Sequence, residues 1–250
     1  MSANDDIRQG RREFLQAAAT AAAGLALGSA PLGTRAAANG SGMKIGVIGS
    51  GKIGGTLGGL WVKAGHEVLF SARNLDEVRK VIEGLGPKAR AGTPQEAAAF
   101  GDVILISVPY SALPQIGKDL AAELKGKVVL DTCNPIPRRD GPMAEAARAK
   151  GTGVASPEYL PGVRLVRAFN SVGARFLQSE AHRAGEKVAI PLAADDPAAL
   201  KIAARLVKDA GFEPVAVGPL ARAIEFDTGT PVYGKALTAR ELRKGLGIGS

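Results

Sequence analysis

The sequence predicts an α/β fold of the Rossmann type, a doubly wound, mostly parallel sheet with helices on both faces. Three observations carry that prediction. A β-branched run, Ile45, Val47 and Ile48, ends in Gly49-Ser50-Gly51-Lys52-Ile53-Gly54, a G-x-G-x-x-G pattern. A helix-length segment, Lys52 to Ala64, follows directly. Further on, Asp102 to Pro109 (DVILISVP) is apolar enough for a strand covered on both faces, as parallel sheets require.

Each glycine of the pattern has a physical role. Gly49 permits the tight strand-to-helix turn, Gly51 lets backbone approach a pyrophosphate, and Gly54 lets the helix pack against the strand. Together with Ser50, Lys52 and Ile53 they form the candidate phosphate cradle, where free N–H groups and the positive helix end attract an anion. Ala64-Gly65-His66 then stops the helix, and Glu67 to Phe70 reads as the second strand. An NAD-preferring site would carry Asp or Glu at the end of that strand to bind the ribose hydroxyls. Ser71-Ala72-Arg73-Asn74 stands there instead. A guanidinium and a hydroxyl bind a 2′-phosphate that a carboxylate would repel, so Ser71, Arg73 and Asn74 point to NADP(H).

Leu75 to Leu85 reads as a helix and Lys88 to Ala91 as a weak third strand. Thr93-Pro94-Gln95-Glu96 has the signature of a helix start, with Thr93 as N-cap. The Asp102–Pro109 strand brings its carboxyl end to the expected ligand crevice, so Val108 and Pro109 are candidate cofactor contacts and Tyr110 a candidate on the substrate side. Ala112 to Leu124 is the next helix, and Lys127 to Asp131 a strand that runs into Thr132-Cys133-Asn134-Pro135. Asn134 is the candidate polar contact to the nicotinamide side. Cys133 reads as a small buried residue. Pro137 to Lys150 reads as loop and helix, Val163 to Asn170 and Lys187 to Ala193 as strands. Asp195-Asp196-Pro197 caps a helix through Ala210, and Glu213 to Val217 is the last strand. The expected boundaries are 1–38 for a leader, 43–220 for the dinucleotide domain and 221–250 for a C-terminal helical segment or tail.

In the leader, Gly10-Arg11-Arg12-Glu13-Phe14-Leu15-Gln16 resembles the twin-arginine export signal. An Ala/Gly/Leu stretch to Ala30 is too short and too weakly hydrophobic for a stable membrane span, and Ala36-Ala37-Ala38 offers a small-residue cleavage site. The resemblance implies a twin-arginine translocase as partner, cleavage near Ala38 and a periplasmic or secreted chain. The 250 residues carry a formal net charge of +8, but no run of five or more Lys/Arg, so no nucleic-acid partner is expected. One cysteine and two histidines, His66 and His182, make a metal site improbable.

The segments KIGVIGSGKIGGTLG, AGHEVLFSAR, DVILISVPYSA, KVVLDTCNP, LVRAFNSVGARF, IPLAADDPAAL and GPLARAIEFD occur in that order between residues 43 and 228. In that order they resemble the coenzyme F-420-dependent NADP oxidoreductases, the deazaflavin reductases, whose wider group includes the cytoplasmic domain of eukaryotic metalloreductases. The resemblance implies hydride transfer between NADPH and a flavin or deazaflavin stacked near Pro109, Asn134, Pro135 and Asn170. Stacked rings need proximity and orientation more than an acid–base set, and the sequence offers no such set. A non-catalytic NADP-binding sensor is the alternative. An imine reductase of the pyrroline-carboxylate reductase type is a further one, weakened because some thirty residues follow Leu220. The C-terminal segment is a candidate for pairing two subunits as a homodimer.

Overall fold

The computed structural model describes residues 42–249; the leader read as an export signal lies outside the described residues. Eight strands form one sheet: β1 Lys44–Ile48, β2 Glu67–Ser71, β3 Ala89–Gly92, β4 Val103–Ile106, β5 Val128–Asp131, β6 Arg164–Arg167, β7 Ala189–Ala194 and β8 Glu213–Gly218. Their order is β3-β2-β1-β4-β5-β6-β7-β8, with chain-order reversal between β1 and β4. The pairs from β3 through β6 are parallel, β7 runs antiparallel to β6, and β8 is parallel to β7. This is the mostly parallel, doubly wound arrangement that the glycine pattern predicts.

Period-two alternation explains why both faces are covered. Ile45, Val47, Val103, Leu105, Val128 and Leu130 belong to one core. Ile48, Ile104, Ile106 and Val129 belong to the other. The first core is closed by α1 Lys52–Lys63, α2 Leu75–Ile82 and the later helix α10 Pro197–Asp209. Trp61 of α1 is fully buried and donates its indole N–H to the Leu206 carbonyl of α10 at 2.8 Å, which ties the two helices. The second core is covered by α3 Pro94–Phe100, α4 Leu113–Asp119, α5 Ala121–Leu124, α7 Pro142–Lys150 and α8 Thr152–Tyr159, with the short α6 Pro137–Asp140 leading in.

Local signals set several boundaries. Thr93 and Glu96 form a reciprocal capping box at α3, and Asp196 caps α10 through the N–H groups of Ala198 and Ala199. The expected continuous helix 112–124 is instead a 3₁₀ turn followed by α4 and α5, with the break at Leu120. α8 and α9 Ala174–Ser179 are helices that the sequence reading passed over. The C-terminal segment is a 3₁₀ stretch, Leu220–Phe226, an irregular run, and α11 Ala239–Gly245. It packs Phe226, Val232 and Leu242 against β7 and β8 rather than standing apart. None of the described helices is long and apolar enough to cross a membrane.

His66, at the turn before β2, is buried and fixed at both nitrogens. Nδ1 accepts the Met43 N–H at 3.0 Å, so Nε2 carries the hydrogen toward Asp209 at 3.0 Å. Burial lowers its pKa below 6.5; Asp209 opposes the shift, while the charges of Arg205 and Lys88 add to it. The unfolded chain therefore takes up this proton first as the pH drops. Stability from His66 is complete above pH 6.5 and declines below it. Thermal melting between pH 8 and 5 should show this fall, and His66→Gln should remove it.

Candidate functional site

The site begins with backbone. Gly49 has φ +97°, in the left-handed region, and a Cβ there would collide with the Ser107 carbonyl of the β4 end. The Ser71 carbonyl accepts the N–H groups of Gly49 and Ser50, both at 2.9 Å, which fastens the turn to β2. Gly54 lies so close to the Gly49 carbonyl that a side chain would overlap it. Gly51 is different, because a Cβ there would meet no protein atom within 4 Å. Its surface is open, the cradle a ligand needs. No side chain caps α1 and no acidic residue stands in its first turn, so the first-turn N–H groups remain available to an anion.

These groups form one wall of a cleft of about 370 Å³ at the carboxyl ends of the parallel strands. The cleft is lined by Gly51, Lys52, Ile53, Val108, Pro109 and Asn134 from the sequence-derived set, and by Asn170. Ser107, Thr132, Cys133, Ile136, Arg139, Phe169, Val172, Gly173 and Tyr233 complete it. No Asp or Glu lines it.

The structure changes where several of the sequence-derived residues stand. Ser50 is buried and offers the cradle neither group: its N–H and its hydroxyl both donate to the Ser71 carbonyl, each at 2.9 Å. Ser71 is fully buried and spends its own hydroxyl on the Val47 carbonyl at 2.8 Å, so Ser71 braces the turn and has no hydroxyl free for a phosphate. Tyr110 lies in the second core with its hydroxyl 3.2 Å from Ser156, and burial pushes its pKa up. It does not line the cleft, and neither does Pro135, which is buried. Asn74 uses its side-chain oxygen to cap α2 through the Asp76 N–H at 3.0 Å. Arg73, by contrast, is exposed beyond the end of β2 and makes no ion pair among the described residues.

Beneath the cleft lies a charge cluster. Arg167 of β6 is fully buried, with Nη1 2.7 Å from Asp131 Oδ2 and Nη2 3.5 Å from Asp227 Oδ1. Nη1 also donates to the carbonyls of Asp131 and Cys133, at 3.1 and 3.0 Å. Burial alone would lower its pKa, but Asp131 and Asp227 outweigh that and raise it, so the guanidinium stays charged. Asp227 also accepts from the Thr152 N–H and hydroxyl and from Asn170 Nδ2. The cluster thus joins β5, β6, α8 and the C-terminal segment under the cleft floor. Just above it Phe169 holds a left-handed φ of 57°, a costly state for an aromatic residue, and packs edge-on to Trp61 and Phe212.

The floor contains no ready acid or nucleophile. Cys133 is fully buried, and burial, followed by the nearby Asp131 charge, pushes its thiol pKa well up. Next to Arg139, the buried Asp140 accepts the Ile136 and Ser111 N–H groups and pairs with the Arg139 guanidinium. Burial opposes ionisation of Asp140, but those partners hold its pKa down at about 2. Arg139 in turn donates to the Asn134 carbonyl at 2.7 Å, which fixes the loop carrying Asn134. Phe169, Val172 and Gly173 adjoin Asn170 at one strand end and were findable from it; Tyr233 and Arg139 had no local signal. Among the described residues no group of three or more His, Cys, Asp or Glu is placed to hold a metal.

The fold is that of the Rossmann-type dinucleotide-binding domains. Residues 44–135 match the family model described as "NADP oxidoreductase coenzyme F420-dependent", which groups the glycine-loop half of the domain with NADP-dependent oxidoreductases. The metalloreductase STEAP3 of Rattus norvegicus is 30% identical over 192 residues, covering 74% of this chain and 36% of that protein. The chain therefore spans little more than a third of that relative's length. Among solved structures, hypothetical protein SMa0349 of Sinorhizobium meliloti superposes with TM-score 0.67 at 24% identity, covering 79% of this chain and 96% of that one. A candidate F420-dependent NADP reductase of an Arthrobacter species superposes with TM-score 0.65 at 22% identity, covering 83% and 96%. At these identities the solved structures speak to the fold.

The glycines separate fold from ligand. Gly54→Ala should destabilise the domain by about 1–3 kcal/mol, because the new methyl meets fixed backbone. Gly51→Ala should melt like the wild type yet lose dinucleotide affinity. Chemical denaturation and a fluorescence titration measure the two effects.

Proposed function

We propose that this chain is an NADP(H)-dependent oxidoreductase that passes hydride between NADPH and a flavin- or deazaflavin-type ring. The observation that carries the reading is the open Gly51 surface at an uncapped helix end, facing a ring-sized cleft that lacks carboxylates. The residues present fit the dinucleotide: N–H donors and Lys52 suit a pyrophosphate, and Arg73 suits a 2′-phosphate. When bound, NADPH supplies the hydride and an acceptor ring stacked on it receives that hydride.

What the chain contributes is placement. The α1 N-terminus and Lys52 hold the phosphates, while Val108, Pro109 and Val172 form the apolar wall that keeps water from the reacting rings. Asn134 and Asn170 set the polar edge of the nicotinamide side. Orientation of two rings in contact supplies most of what such a transfer needs, which agrees with a floor free of acid–base side chains. The same floor also suits a protein that binds NADP(H) without turnover, a sensor, and that is the second reading.

Purified protein holding NADPH should oxidise it when offered a flavin or a deazaflavin, followed at the nicotinamide absorbance. Tight binding with no oxidation by any acceptor favours the sensor. Arg73→Asp should weaken NADPH roughly tenfold to a hundredfold while NADH changes little, since only NADPH loses a charge-assisted contact; equal losses would refute the phosphate assignment. The proposal includes twin-arginine export with the cofactor loaded beforehand. N-terminal sequencing of exported protein should then begin near residue 39, and an intact Met1 end would sink that part.

A further inference from the structure

Tyr233 stands on the irregular run between the C-terminal 3₁₀ stretch and α11, outside every motif, yet it lines the cleft. Asn134 Nδ2 donates to the Asn170 backbone carbonyl at 2.7 Å and to Tyr233 Oη at 3.3 Å. A carbonyl oxygen only accepts, so the first bond fixes which way the Asn134 amide faces. The second bond then makes the phenol oxygen an acceptor. Its own hydrogen must point elsewhere, and among the described residues no acceptor meets it.

The hydroxyl is also held in place. Gly234 N–H donates to the Ser171 carbonyl at 2.7 Å, and Tyr233 N–H to the Thr230 carbonyl at 3.2 Å. Val232 is buried against β7 and β8. Upstream, Asp227 anchors the same run to Thr152 and Arg167. A half-buried phenol with one lone pair engaged and its hydrogen free is a preorganised donor in a cleft without competing carboxylates.

We propose that Tyr233 is a ligand-binding residue whose hydroxyl donates a hydrogen bond to a carbonyl oxygen of the ring bound at this end of the cleft. The inference rests on the NADP(H) reading above. Two rings carry such an oxygen close to the reacting atom: the nicotinamide through its carboxamide beside C4, and the acceptor through the pyrimidine carbonyl beside N5 of a flavin or C5 of a deazaflavin.

The test titrates the full chain and Tyr233→Phe with NADPH, flavin mononucleotide and 2′,5′-ADP, a fragment that keeps the adenosine phosphates and lacks both rings. Matching melting temperatures establish that the variant is folded. The variant should lose roughly threefold to tenfold in affinity for one ring-bearing ligand and bind 2′,5′-ADP like the wild type. A loss confined to NADPH assigns the nicotinamide, and a loss confined to the flavin assigns the acceptor. Unchanged affinity for all three overturns the proposal, as does an equal loss for 2′,5′-ADP, which would make Tyr233 merely structural. A wild-type chain that binds no NADPH at all refutes the underlying cofactor reading instead, and this inference falls with it.

Discussion

The architecture depends on backbone meeting backbone at the β1–α1 turn. Gly49 presses on the Ser107 carbonyl and Gly54 on the Gly49 carbonyl, so three chain segments approach where no side chain fits. That closeness fixes where α1 begins and aims its uncapped end across the carboxyl ends of β1 and β4. It also spends the hydroxyls of Ser50 and Ser71 on internal carbonyls. The turn is held by hydroxyls while the ligand side is left to backbone N–H groups and the open face of Gly51. Rigidity and vacancy therefore arise from the same packing.

A second constraint closes the cleft from the other side. Removing the buried Arg167 charge from water is expensive, and Asp131 and Asp227 offset that cost only if both stay within reach. Because Asp227 lies far along the chain, this requirement draws the C-terminal segment under the cleft and delivers Tyr233 to its edge. The segment is thus part of the site rather than a tail.

Much of the fold was legible because its signals are local. The apolar run of β4, the Thr93 capping box and the Asp196 cap are each written within a few residues. The candidate site was legible where backbone geometry decides, as at Gly49, Gly51 and Gly54, or where a strand end must face the crevice, as at Pro109 and Asn134. Side-chain direction was not legible. Tyr110 follows Pro109 directly, yet the 3₁₀ turn swings its ring into the second core toward Ser156. Ser71 spends its hydroxyl on the Val47 carbonyl inside the turn instead of on a ligand, a choice that depends on a neighbour brought near by folding. Tyr233 and Asn134 are 99 residues apart, and no periodicity or motif relates them. The curated relative extends well beyond the matched region, so the acceptor has to be sought by chemistry rather than by resemblance.

The central claim is that this cleft takes NADP(H) through a glycine-loop phosphate cradle and a free arginine beyond β2. Calorimetric titration of the unmodified chain with NADP⁺ and NAD⁺ side by side tests it most directly. The account predicts binding of both at one site, with NADP⁺ tighter by roughly tenfold or more, the worth of one charge-assisted phosphate contact. Equal affinities, or no heat from either dinucleotide, would contradict it.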